Sequence, residues 1–190
     1  MALWGATDAD ESKPKWMTTA DKKEVLATTA GWVVEAGSAM TGNDNTASTP
    51  EVLVAAGGLT VSLGAATISS VDWNITTFDK SAGGTLSVTV RYNEAVDVAT
   101  SNPTLIATNS VNANHTLTYA SGTGSNELVF TLAIAAANAA TDAADVLSVA
   151  AQSVVLASSS TIKDAGTATN AELVITAAQG TAAGTITVVA

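Results

Sequence analysis

The chain has no cysteine, one histidine, two phenylalanines and two tyrosines among its 190 residues. Without cysteine it can form neither disulfides nor thiolate metal sites. With His115 as its sole histidine, a zinc site built on several imidazoles is excluded. Basic residues are also scarce, seven against seventeen acidic, for a net charge of −10. A body of that sign repels nucleic acid and anionic membranes, so neither is expected as a partner. No apolar run approaches the roughly 20 residues that a membrane-spanning helix needs. Met1 to Glu11 lacks the charged and apolar regions of a secretion signal, and none is expected there.

What is present is unevenly spread. Hydrophobic residues make up 47% of the chain but aromatics only 4%. Much of the apolar content is alanine, which predicts thin, closely spaced sheets. Trp4, Trp16 and Trp32 are three of the four tryptophans, and Lys13, Lys15, Lys22 and Lys23 are four of the seven basic residues. A solvated tail seldom carries large aromatics, whereas an anchoring arm uses Trp and flanking charge. These seven residues are therefore the expected partner-binding set.

Period-two alternation dominates the rest. Residues 1–30 read as an arm, with a short helix over Thr18 to Leu26 capped by Thr18 or Thr19 and carrying Asp21 in its first turn. Residues 31–66 read as a small β-module, with strands at Gly31–Glu35 and Glu51–Ala55 around a polar loop that turns at Gly42-Asn43-Asp44-Asn45. Residues 67–190 read as a sandwich of about seven short strands. Its strands include Ile68–Trp73, Leu86–Tyr92, Leu147–Leu156, Leu173–Thr176 and Ile186–Val189. Leu117–Tyr119 and Leu128–Ile134 form a β-hairpin around Ser121 to Asn126. Tyr92, Tyr119 and Phe130 all fall on the inward phase. Ala135 to Ala144 has helix-favouring composition but no apolar stripe, and is expected as a loop.

Thr85-Leu86-Ser87-Val88-Thr89-Val90-Arg91-Tyr92-Asn93-Glu94-Ala95-Val96-Asp97-Val98, then Pro103-Thr104-Leu105, the hairpin Leu117 to Phe130 and the corner Ile162-Lys163-Asp164-Ala165-Gly166 follow one another in a set order. Across residues 84–175 they resemble a bacterial Ig-like repeat of large adhesins and surface proteins. Ala27-Thr28-Thr29-Ala30-Gly31-Trp32-Val33 and Glu51-Val52-Leu53-Val54-Ala55-Ala56-Gly57-Gly58-Leu59 resemble the opening module of structural proteins of tailed phages that infect marine bacteria. The two resemblances imply an all-β fold, an Ig-like sandwich preceded by an extended arm and a small β-module. They imply a virion protein on the outer capsid surface, a capsid decoration protein whose partners are the major capsid protein and copies of itself. The rival readings are a tail or neck component and a glycan-binding surface module.

Catalytic chemistry is not expected. His115 lies in a turn, Asn112 to Thr116, where a solvated imidazole is the ordinary outcome and no nucleophilic triad is suggested. Glu94 with Asp97, and Asp142 with Asp145, are paired carboxylates. Glu94 is expected to accept from backbone donors at a sheet edge, and Asp142 and Asp145 to be solvated. Loop oxygens suit calcium better than acid–base work. Asp97, Asp142, Asp145 and Asp164 are the candidate ligands if they converge at one end of the sandwich, but their spacing matches no dedicated calcium loop, so no cofactor is expected.

Overall fold

The computed structural model describes residues 14, 16–28, 30–47, 49–55, 65–100, 102–157 and 159–190. The first element is the helix α1, Thr19–Lys23, capped as expected: the Asp21 amide donates to Thr18 Oγ1 at 3.1 Å. It is one turn shorter than the sequence suggests. Val25 and Leu26 leave it for the strand β1, Val25–Thr28. There they bury completely against β2, Gly31–Val34. For β-branched and large apolar residues that burial outweighs one more turn of a marginal helix.

β3, Glu51–Ala55, completes a three-stranded sheet in the order β1-β2-β3, with a bulge where it passes Trp32 and Val33. Gly31, at φ +131°, lies so close to β3 that a Cβ there would sit 1.9 Å from the Val54 carbonyl oxygen. Only glycine fits that crossing. Met17, Val25, Ala27 and Trp32 form the core of this unit, with Met40 and Leu53 packed on it.

The remaining strands are β4 (Ile68–Trp73), β5 (Phe78–Asp79), β6 (Gly84–Ala99), β7 (Thr104–Asn109), β8 (His115–Ser121), β9 (Ser125–Ile134), β10 (Val146–Ser148), β11 (Gln152–Ser153), β12 (Thr161–Asp164), β13 (Val174–Ile175) and β14 (Thr185–Val189). Nine of them form one curled sheet in the order β12-β6-β9-β8-β7-β10-β14-β5, with β4 also pairing β6. The sixteen-residue β6 is the spine. It pairs with β9 on one edge, while β4 and β12 pair with its earlier and later parts. Alternate residues Leu86, Val88, Val90 and Tyr92 point inward to Leu105, Leu117, Leu128, Phe130, Leu147, Ile162, Ile175 and Ile186, all buried. The molecule is mostly β.

Two stretches depart from expectation. Leu147–Leu156 is not one strand; it breaks into β10 and β11, and Val155 makes only an isolated bridge to Thr104. The break accommodates a helix that hydrophobic patterning does not announce, α2, Ala177–Ala183. Its Gly180 lies so close to the Val149 carbonyl that a Cβ would sit 2.4 Å from that oxygen. A capping box, Thr176 with Gln179, starts α2. The alanine-rich segment 135–144 is a loop, as its lack of an apolar stripe suggests.

Candidate functional site

Of the seven residues read as partner-binding, Trp4, Lys13 and Lys15 lie outside the described residues. The other four do not form one patch. Trp16 is 73% exposed, the neighbour of Met17, which is buried in the small sheet's core. The Met17 amide also donates to the Pro14 carbonyl at 3.2 Å, closing a tight turn. Met17 thus fixes the backbone from which Trp16 projects. Lys22, at the end of α1, is half-buried. Trp32 is corrected from anchor to core, since it is 2% exposed inside its own sheet. Lys23 turns inward as well, to Asp72 Oδ1 at 2.5 Å.

Asp72 belongs to a hub that sequence reasoning missed. Arg91 Nη1 donates to Asp72 Oδ2 at 2.7 Å and Nε to Glu127 Oε1 at 2.7 Å, while Nη2 lies 3.5 Å from Glu24 Oε1. Arg91 is the chain's one arginine, on the outward phase of β6 beside Thr89. A lone arginine in the otherwise uncharged alternating run Thr85 to Tyr92 was the available signal. Glu35 lines the adjoining cleft of about 340 Å³ with Glu24, Arg91 and Glu127. Burial, and then the charge of Glu127, raise its pKa.

The four calcium candidates do not converge. Asp142 and Asp145 meet beside the end of β7, where Lys80 also donates to Asp142 Oδ1. Asn112 Nδ2 donates to both carboxylates at 3.0 Å, and Asn109 Nδ2 and the Asp142 amide donate to Asp145 Oδ2 at 2.8 and 2.9 Å. Asp145 is 1% exposed, not solvated. Hydrogen bonds hold both carboxyls below the usual range, led by Lys80 for Asp142 and by the Asp142 amide for Asp145. Both oxygens of Asp142 and Oδ2 of Asp145 thus already accept from protein donors.

Asp97 and Asp164 lie apart from them, in the later part of β6 and in β12, which pairs with it. Asp164 Oδ1 accepts from the Ala66 amide at 2.8 Å. Glu94 is buried near Asp164 rather than set at an open edge, and burial followed by the Asp164 charge pushes its pKa up to about 7. Among the described residues no group of three or more His, Asp or Glu side chains is placed to hold a metal ion.

His115 is likewise corrected. It is 5% exposed, and its Nε2 has no hydrogen-bond partner among the described residues. Burial lowers its pKa, with the Asp145 charge acting in the opposite direction. Tyr92 and Phe130 are core residues, and Tyr119 is half-buried against the same core. None of the three forms an open stacking platform of the kind sugars use. No helix among the described residues is long and apolar enough to cross a membrane. No protein-family model, curated protein or solved structure matches this chain.

Proposed function

We propose that this chain is a structural protein of a virus particle, a capsid decoration protein that attaches through its N-terminal unit and displays its larger β-body as an Ig-like domain. The observation that carries the reading is Trp16. A tryptophan 73% exposed beside a neighbour buried in the core stands on backbone that is already placed, so less backbone entropy is lost when it docks. The separate core of the N-terminal unit supports a division between anchor and displayed body. The alternating strands and central hairpin of the body support the Ig-like reading.

The proposed partners are the major capsid protein and further copies of the chain, at the outer capsid surface. The acidic body suits dense display, since like charge keeps neighbours apart. Labelling purified tailed-phage particles with an antibody raised against the chain tests this directly. Label spread over the capsid shell is the expected result. Label confined to the tail or neck, or absent from particles, overturns the placement.

A further inference from the structure

The N-terminal unit and the body do not share a core. Met17, Val25, Ala27 and Trp32 form one cluster, and the residues from Ala66 onward form another. Leu26 and Val33, on the face of the small sheet opposite Val25 and Trp32, are buried outside both clusters, and where β1 meets β6 the charged hub on Arg91 ties the two parts together. Glu24 and Lys23 come from the N-terminal unit; Asp72, Arg91 and Glu127 come from β4, β6 and β9 of the body.

The side chains of Arg91 and Glu24 retain only 17% and 15% exposure, so these are not freely solvated surface pairs. Ser38 Oγ also donates to Glu24 Oε2 at 2.8 Å, fixing the carboxylate that faces Arg91. The hub is unbalanced. Two cations face the carboxylates of Asp72, Glu24 and Glu127, and Glu35 adds a fourth in the adjoining cleft.

We propose that the Arg91 hub is an electrostatic latch, holding the N-terminal unit against the body; when its charge is removed or screened the unit lets go and, too small to hold its own sheet, opens while the core of the body stays intact. Partly buried pairs resist screening better than surface pairs but lose attraction at high salt. Taking away one member strands its partners without compensation. Glu35 works against the latch, so neutralising it tightens the contact. This device is independent of what the N-terminal unit binds and stands even if the virion reading fails.

Hydrogen exchange read by mass spectrometry on the full chain tests the latch. The decisive variant is Lys23→Gln with Glu24→Gln, because neither side chain enters either core. Amides of β1 and β2 should exchange on the order of tenfold faster or more, while those of β8 and β9 are unchanged, because opening is local. One molar sodium chloride should reproduce the pattern in the unaltered chain, and Glu35→Gln should slow exchange in β1 and β2. Unchanged exchange in β1 and β2 of the double variant overturns the latch. So does equal acceleration in β8 and β9, which would mean that the two parts open only as one.

Discussion

Tyr119 and Phe130 meet edge to face across β8 and β9, with ring centroids 6.1 Å apart and planes at 72°. Phe130 is fully buried, and the Tyr119 hydroxyl reaches back to accept from the Thr123 amide at 2.8 Å, tying the ring to its own hairpin turn. Phe130→Ala is therefore expected to cost about 3–5 kcal/mol through cavity formation and loss of the aromatic contact. Urea unfolding of the full chain measures this, and a loss below about 1 kcal/mol would contradict the packing described.

That hairpin was the most legible part of the sequence. Large apolar residues at every second position, Leu128, Phe130, Leu132 and Ile134, and a glycine-marked turn leave few other conformations for it. The capped start of α1 was legible too, since a threonine at 18 or 19 and Asp21 stand where a cap and a first-turn acid belong. β1 was not, because Val25 and Leu26 follow α1 without a breaker, and only their pairing with β2 makes them a strand. α2 escaped notice because Ala177–Ala183 has no apolar stripe; the Thr176–Gln179 box was its one signal. The Arg91 hub joins residues up to 104 positions apart in sequence, from Lys23 to Glu127. Contacts set by tertiary packing leave no local trace. The four aspartates show the converse: grouped as one candidate set in sequence, they divide between β6 with β12 and the loop beside the end of β7.

Gly122 opens the hairpin turn at φ +115°, and a Cβ there would lie 1.8 Å from the Glu127 carbonyl oxygen. Gly122→Ala must therefore move backbone as well as strain the turn. A destabilisation of about 2 kcal/mol or more is expected. A thermal midpoint equal to that of the unaltered chain would show that the turn is built differently.

Glu94 and His115 act on stability in opposite directions over overlapping pH ranges. Glu94 has its folded pKa raised to about 7 from an ordinary 4.5, so the folded state holds its proton more tightly. Its favourable contribution is complete below about 4.5 and is lost as pH rises through about 7. Glu94→Gln should therefore gain on the unaltered chain, by about 1–3 kcal/mol, between pH 5 and pH 8. A difference that stays flat across that range, in urea titrations at each pH, would contradict the buried carboxyl.

His115 is buried neutral, with its folded pKa below the ordinary 6.5, so the unfolded chain binds that proton first. Its contribution is complete well above 6.5 and falls away as pH drops below it. His115→Gln should remove that loss, making the variant relatively more stable at pH 5 than at pH 8. The same urea titrations check this, and a variant that tracks the unaltered chain at both pH values would place the imidazole in solvent.

The anchoring role of Trp16 is the claim on which the functional account turns. Because its side chain is mostly exposed, Trp16→Ala should leave urea unfolding unchanged while removing a contact of the hot-spot type. Binding of the full chain and of this variant to purified particles lacking the protein should be compared at limiting protein, where many weak contacts cannot mask the loss of one. The account predicts that affinity falls by about tenfold or more with folding intact. Particles decorated equally by both proteins would contradict it.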